Sequence, residues 1–317
     1  MEFRILGPLE VTDGERVLAL GGVKQRLLLA VLLLRRNEVV SPDLLRAELW
    51  GERPPATAAK SIQVYVSRLR KELGADRLVT RPPGYVLRVE DSEFDAAQFD
   101  RLLAEARTAE PARAADRLRT ALALWRGPAL ADLAYETSVQ PDIQRLDELR
   151  LAALEERIDA DLATGRHGRL IGELEALVVK HPLRERLRGQ LMLALYRSSR
   201  HAEALNIYRN AQRELSDQLG LEPSRELRRL EQAILRQDPA LDALPEPTEQ
   251  PAETPWDTAP APDRAILVVP RAPPDTDALL ALAGPLAATE PRRELIVACV
   301  VGPDVISDAA TTLARTA

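Results

Sequence analysis

Cysteine and histidine are scarce in this sequence: Cys299 is the only thiol, and His167, His181 and His201 are the only imidazoles. A single thiol excludes an intrachain disulfide and a multi-thiolate metal site, and three scattered histidines do not form a convincing ligand set. We therefore expect no metal and no other cofactor. A chain without disulfides fits the reducing cytoplasm, where we expect the protein to reside.

Aromatic residues and long apolar runs are also rare. Aromatic content is 3% against 45% hydrophobic residues, which favours aliphatic, helical packing and argues against base stacking on aromatic side chains. The longest apolar run, Leu27 to Leu34, is far shorter than the roughly 20 residues of a membrane span, so no membrane partner is expected. No G-x-x-x-x-G-K-[ST] pattern and no arguable nucleophile–base pair occur, so we do not expect an enzyme.

The net charge of −6 conceals an uneven distribution. Residues 1–90 contain 15 Lys and Arg against 11 Asp and Glu, whereas residues 91–317 contain 28 against 38. Within residues 53–88 the excess sharpens to eight basic against two acidic side chains. A local basic patch of this kind indicates a polyanionic partner such as nucleic acid.

The segment from Thr57, an expected N-cap, to Leu73 predicts a helix. At about 100° per residue, one face is an apolar stripe of Ile62, Val66, Leu69 and Leu73. The opposite face carries Lys60, Gln63, Val64, Ser67, Arg68 and Lys71. Basic residues on such a face also occur for solubility alone. Val64, however, gains little from water there and matches a thymine methyl group in a major groove.

The elements around this helix follow a recognisable order. The expected elements are strands over 2–6, 8–11 and 16–20, helices over 23–36, 42–50 and 57–73, and a hairpin of 78–81 with 85–89. Ser41-Pro42 is typical of a helix start, and the hairpin turns at Pro82-Pro83-Gly84. This order is typical of a winged helix-turn-helix, in which the third helix enters the major groove and the hairpin, or wing, reaches the adjacent minor groove.

The string KSIQVYVSRLRKEL (60–73), followed by a wing that ends in Gly84-Tyr85, resembles the OmpR-type winged helix of bacterial response regulators. The resemblance covers about residues 1–90 and implies binding to double-stranded DNA, with Arg81 in the minor groove and the Trp50 indole on a phosphate. The helix positions that the resemblance assigns to DNA contact are Lys60, Gln63, Val64, Tyr65, Ser67, Arg68 and Arg70; Lys71 lies on the same basic face. Pro82-Pro83 departs from the family's wing tip and removes two backbone donors. Because the sequence starts with this fold, we expect no phosphate-accepting receiver domain before it.

From residue 95 to about 238 the sequence is rich in Leu, Ala, Arg and Glu with helical periodicity. Helices are expected over 96–108, 112–125, 139–164, 168–180, 184–197, 201–219 and 224–236. Gly165-Arg166-His167 recurs as Ser199-Arg200-His201 after 34 residues, the tetratricopeptide period. Stacked helix pairs of this type form a concave scaffold for a protein or peptide.

Strings in this helical region resemble the bacterial transcriptional activation domain, among them FDAAQFDRLLAEAR (94–107) and HPLRERLRGQLMLALYRSSRHAEALNIY (181–208). Together with the winged helix, they identify the chain as similar to the Streptomyces antibiotic regulatory protein family. The resemblance implies an activator of secondary-metabolite genes. It also implies binding to direct repeats near the promoter's −35 region by protomers side by side, and recruitment of RNA polymerase through contacts that include its σ subunit.

The expected fold is therefore mainly α. It has a winged helix-turn-helix (α+β) over residues 1–92 and an all-α tetratricopeptide-like domain over 93–238. Residues 239–263 are rich in Pro, Glu and Thr and predict an extended linker. Residues 264–317 predict a short βαβ-like fragment of unknown role, with strands over 265–269 and 294–301 and a helix over 275–289; so small a core suggests a truncated or vestigial domain.

Two alternatives remain from sequence alone. The repeat region could receive a small molecule or peptide that releases or occludes the winged helix, which would make the protein a ligand-gated sensor or repressor. It could also be a scaffold in a protein that no longer binds DNA.

Overall fold

The computed structural model describes residues 1–242 together with two strands near the C-terminus. The chain divides into one unit over residues 1–247 and a second over 248–317. The strands are β1 Glu2–Arg4, β2 Glu10–Asp13, β3 Arg16–Val17, β4 Leu78–Arg81, β5 Gly84–Leu87, β6 Ala265–Val268 and β7 Glu294–Val297. The helices are α1 Val23–Leu34, α2 Pro42–Trp50, α3 Ala58–Leu73, α4 Asp95–Arg107, α5 Pro111–Ala123, α6 Gln140–Ala163, α7 His167–Lys180, α8 Glu185–Arg197, α9 His201–Leu219 and α10 Arg225–Arg236.

The first three strands form an antiparallel sheet in the order β1-β2-β3, with Phe3 opposite Val11. Helix α1 follows and is buried on nearly every side, since Leu27 to Leu33 are at most 1% exposed. The apolar run thus forms a helix that is buried nearly all round and that ends at Leu34, two residues earlier than expected.

Helices α2 and α3 begin and end as their sequences suggest, with one exception. The Ser41 hydroxyl accepts the Leu44 N–H at 3.1 Å, and Gly51 ends α2 with a φ of 62°. The predicted stripe on α3 is buried, with Ile62 and Leu69 at 2% and 0% exposure. Thr57 occupies the predicted N-cap position, but its side chain forms no capping hydrogen bond. Its ψ of 3° is not the extended backbone that turns a hydroxyl towards the first helical N–H groups.

The wing is the antiparallel pair β4 and β5, with Leu78 opposite Leu87 and Arg81 opposite Gly84. Its turn is Pro82-Pro83, joined by a cis peptide bond. The second strand begins one residue earlier and ends two residues earlier than predicted. Tyr85 exchanges two backbone hydrogen bonds with Val40, at 2.8 and 2.9 Å, so the turn end of the wing is attached to the segment that leads into α2.

The seven helices from α4 to α10 match the predicted ones within two residues at either end. The repeated tripeptide marks equivalent turns: Gly165 and Ser199 both have positive φ, 76° and 60°. The next residue in each turn donates its N–H to the carbonyl five positions back, Arg166 to Asp161 at 3.0 Å and Arg200 to Leu195 at 2.9 Å. Such a bond closes a helix end, so the 34-residue offset reflects a repeated helix–turn–helix unit.

Two hydrophobic cores fill residues 1–242. One runs without interruption from Phe3 of β1 through the winged helix to Ala160 of α6, and the other lies between α6 and α10, from Leu151 to Ile234. The first core therefore crosses the expected boundary at residues 92 and 93, so the winged helix and the first activation-domain helices pack as one body.

In the second unit, β6 and β7 pair in parallel, with Ala265 opposite Glu294. Parallel pairing agrees with the predicted βαβ connection, whose helix over 275–289 lies outside the described residues, as do residues 243–263 of the linker. No helix in the described part of the chain has both the length and the hydrophobicity of a bilayer-spanning segment.

Candidate nucleic-acid interface

The exposed face of α3 brings most of the predicted helix residues together. Because α3 is amphipathic and its apolar stripe packs into the core, the side chains on the opposite side face outwards. Those exposed on this face are Lys60, Gln63, Val64, Ser67, Arg68 and Lys71. Val64, at the centre of the face, is 38% exposed although it is apolar. We call these six residues the α3 face.

The charge on and around the α3 face is not neutralised by the protein. All seven Lys and Arg residues before residue 50 form ion pairs, namely Arg4, Arg16, Lys24, Arg26, Arg35, Arg36 and Arg46. Within the described residues, six cations between 53 and 88 have neither an ion pair nor a side-chain hydrogen bond: Arg53, Lys60, Arg68, Lys71, Arg81 and Arg88. Unpaired cations on one surface produce the positive potential that attracts a polyanion.

Arg70 differs from the other cations of α3 because the protein already holds it. Its Nε donates to the Leu78 carbonyl at 2.6 Å, and one terminal nitrogen donates to the Thr80 hydroxyl at 2.5 Å. The guanidinium also lies 5.9 Å from the centre of the Tyr85 ring. Arg70, predicted as a DNA contact, is therefore placed between α3 and the wing.

Tyr65 and Trp50 are half-buried rather than freely exposed. Tyr65 packs against the first core from the flank of α3. Trp50 ends α2 and lines a cleft of about 460 Å³ together with Lys24 and Glu136, whose side chains form an ion pair at 2.8 Å. Both aromatic rings contribute to packing. Tyr65 lies beside the α3 face, whereas Trp50 faces the cleft that it shares with Lys24 and Glu136.

The wing carries two exposed arginines along one side. Arg81 precedes the turn, and Arg88 follows β5; both line an open cleft of about 810 Å³ with Arg77. Arg88 was not among the predicted contact residues. Strand alternation could have identified it, since side chains two residues apart on a strand share a face. The backbone N–H of Arg88 donates across the hairpin to the Arg77 carbonyl at 2.8 Å, so the strand pattern continues to Arg88.

The connector, residues 88–94, is attached closely to the winged helix. Two parallel hydrogen bonds join Arg77 to Glu93, one of them 2.6 Å long. The hydrogen bond from Arg77 lowers the pKa of Glu93 below its ordinary value. Asn37 donates to the Val89 carbonyl at 2.9 Å and accepts the Val89 N–H at 3.1 Å. These hydrogen bonds therefore fix the connector between the wing and the helical region.

Helix α4 is fixed to the first strand by a buried carboxylate. Asp95 accepts the backbone N–H groups of Ile5 and Leu6, each at 2.9 Å. Burial raises the pKa of Asp95, while these N–H donors and the nearby Arg126 act in the opposite direction. In the segment between α5 and α6, Asp132 accepts the Leu9 N–H at 2.6 Å. These contacts hold the orientation of the helical region relative to the α3 face.

The winged helix and the helical region each match a known protein family. Residues 18–87 match the family described as transcriptional regulatory protein, C terminal, and residues 94–235 match the bacterial transcriptional activator domain. The chain is 43% identical over 258 residues to the regulatory protein AfsR of Streptomyces griseus, across 80% of this chain and 26% of that protein. It therefore spans about a quarter of the length of AfsR.

A shorter relative matches over almost its whole length. The regulatory protein DnrI of Streptomyces peucetius is 38% identical, across 76% of this chain and 94% of DnrI. Among solved structures, Mycobacterium tuberculosis EmbR in complex with a low-affinity phosphopeptide aligns with a TM-score of 0.73 at 39% identity, covering 76% of this chain and 68% of that one. The chain has an OmpR-type winged helix followed by a bacterial transcriptional activator domain, and these relatives are transcriptional regulators. It therefore belongs to the Streptomyces antibiotic regulatory protein family.

Proposed function

We propose that the protein is a sequence-specific DNA-binding activator, with α3 in the major groove of promoter DNA and the wing at the adjacent minor groove. The observation that carries this proposal is the set of six unpaired cations on α3, the wing and the loop before α3. Cations that form no ion pair within the protein are free to release counterions from phosphates, which supplies most of the affinity of DNA-binding proteins.

The α3 face has the side chains that base recognition uses. Helix α3 has 16 residues, or about 24 Å of helix. Arg68 suits the guanine edge, Gln63 suits the adenine edge, and the exposed Val64 methyls suit the thymine methyl group. We assign further base or phosphate contacts to Lys60, Ser67 and Lys71, phosphate contacts to Tyr65 and the Trp50 indole, and the minor groove to Arg81. A bacterial regulator with this role acts in the cytoplasm, where the promoter is.

The helical region would provide the activating surface. We propose that protomers bind side by side to direct repeats near the −35 region and that α4 to α10 contact the neighbouring protomer or RNA polymerase with its σ subunit. The similarity to AfsR and DnrI supports a role in controlling secondary-metabolite genes. The continuous core between the winged helix and α6 supports this arrangement, because it presents the helical region to its partner in one fixed orientation.

Sequence recognition is tested by letting the full chain select duplexes from a random-sequence pool. The recovered consensus is then used to compare the parent with Lys60→Ala/Arg68→Ala and with a control, Arg113→Ala/Arg169→Ala, which removes two exposed cations of the helical region. We expect the first double variant to lose at least about a hundredfold in affinity, and the control to bind like the parent. Equal affinity of the first variant and the parent would contradict DNA recognition by α3.

Transcription from the selected sequence, reconstituted with purified RNA polymerase, tests activation. We expect more transcript on addition of the protein alone. Transcription that falls on addition of the protein, or a change that needs an added metabolite, would favour the ligand-gated sensor instead.

A further inference from the structure

Arg70 joins the recognition helix to both strands of the wing. Its two hydrogen bonds end on β4, at the Leu78 carbonyl and the Thr80 hydroxyl, and its guanidinium faces the ring of Tyr85 on β5. Arginine suits this position because its planar fork offers several N–H donors in a fixed geometry. Arg68 and Lys71, its basic neighbours on α3, have no such acceptors in the described part of the protein.

The wing is small, and Arg70 is one of its attachments to α3. Each of its strands has four residues, and the two pair as a separate sheet. Leu78 and Leu87, at the base of the wing, are buried in the first core, and the backbone bonds between Tyr85 and Val40 hold its turn end on the α2 side. On the α3 side, Arg70 adds two side-chain hydrogen bonds to β4, one of them at Thr80, the residue before Arg81. The position of Arg81 relative to α3 therefore depends in part on Arg70.

We infer that Arg70 is a positioning residue: it fixes the wing relative to α3 so that Arg81 reaches the minor groove, and it does not itself bind a phosphate. This inference rests on the proposed function and changes the role that resemblance assigned to Arg70. A phosphate contact and a positioning role predict different results for a charge-conserving substitution. Lysine keeps the charge but lacks the two-nitrogen fork, so Arg70→Lys should behave like Arg70→Ala if the role is positioning.

A double-mutant cycle with Arg81 tests the inference on the selected duplex. We expect Arg81→Ala to weaken binding about tenfold, with Arg70→Ala and Arg70→Lys weakening it several-fold. Arg70→Ala should weaken the binding of the Arg81→Ala protein by no more than about twofold, which is the uncertainty with which such effects add. Amide hydrogen exchange of the DNA-free protein should be faster over residues 78–87 in both Arg70 variants and unchanged over α3, which shows that the helix remains folded.

The other outcomes overturn the inference in distinguishable ways. Near-parental binding by Arg70→Lys, or additive losses for Arg70→Ala and Arg81→Ala, would make Arg70 a phosphate contact. Unchanged exchange over the wing would remove the positioning role. If the parent selects no duplex, the proposed function fails, and the inference with it. If the parent binds DNA but Arg81→Ala has no effect, the inference about Arg70 is overturned, whereas DNA recognition by α3 still stands. Thr80→Val, which removes one acceptor and no charge, should give a smaller change in the direction of Arg70→Ala.

Discussion

The Asp95 carboxylate accepts the backbone N–H of Ile5 at 2.9 Å, although the two residues are 90 positions apart in the chain. It accepts the next N–H, that of Leu6, as well. The two residues that follow β1 are therefore bonded to the first residue of α4, and the winged helix and the helical region are joined by buried hydrogen bonds as well as by a shared core. This joint makes the stability of the two regions interdependent.

Loss of this carboxylate should destabilise the whole body. We expect Asp95→Ala to lower the free energy of unfolding by about 2–6 kcal/mol, because two buried N–H groups lose their acceptor at about 1–3 kcal/mol each. Urea denaturation followed by circular dichroism measures the change. The control Asp116→Ala removes an exposed ion pair with Arg119 and should cost less than about 1 kcal/mol. Equal effects of the two substitutions would contradict a structural role for Asp95.

The pair of Arg77 and Glu93 should make stability depend on pH in the acid range. The folded-state pKa of Glu93 is lowered, so its stabilising contribution is complete above the unfolded-state pKa of about 4.3 and is lost as the pH falls through the folded-state value. We expect the free energy of unfolding of the parent to exceed that of Glu93→Gln at neutral pH and the difference to shrink below about pH 4. Urea denaturation across this range measures it. Glu52→Gln, which removes an exposed carboxylate without an ion pair in the described part of the chain, should give a curve parallel to that of the parent.

Gly84 should not accept a side chain, because a Cβ there would lie 2.0 Å from the Val40 carbonyl oxygen and 2.9 Å from the Ser41 Cα. Gly84→Ala must break the bridge between the wing and Val40, and we expect weaker DNA binding and a lower melting temperature. The matched control is Gly172→Ala in α7, where nothing lies within 4 Å of the added atom. Alanine in an exposed helix interior should raise stability by about 0.5–1 kcal/mol. A Gly84→Ala protein as stable as the parent would contradict the close packing of the wing.

Arg88 should contribute to DNA affinity without contributing to sequence preference. If it meets a phosphate, Arg88→Ala lowers the slope of log affinity against log salt by about 0.9 and weakens consensus and scrambled duplexes equally. Titrations at several salt concentrations measure both quantities. Arg113→Ala removes one exposed charge from the helical region and should leave the slope unchanged. An unchanged slope for Arg88→Ala would exclude this arginine from the interface.

Periodicity and local charge were sufficient to predict much of this molecule. The stripe from Ile62 to Leu73 is buried as expected, and six of the eight basic residues that local composition concentrates over residues 53–88 form no ion pair or side-chain hydrogen bond in the described part of the chain. The turn tripeptides at 165 and 199 share a backbone conformation because the same local hydrogen bond closes both helices. In each case the signal and its cause lie within a few turns of the chain.

Contacts between distant segments were not predictable in the same way. The role of Arg70 depends on the acceptors that the wing places beside α3, and its spacing on the helix does not reveal them. The sequence shows Asp95 only as an acidic residue at a helix start, and its role depends on the two N–H donors that Ile5 and Leu6 supply from just after β1. The shared core is a third example, because the apolar faces of β1, α1, α4 and α6 meet across the expected boundary at residue 92, and the periodicity of each helix does not show which faces meet.

That continuous core also has a consequence for promoter architecture. If α3 sits in one major groove, the position of α4 to α10 around the duplex is set by the rotational phase of the operator. Moving the operator by about five base pairs, half of a helical turn of DNA, would carry the helical region to the opposite side of the duplex. Moving it by a full turn would restore the side and change only the distance. Activation should therefore vary periodically with operator spacing, because the hydrogen bonds of the connector and the shared core hold the helical region in one orientation.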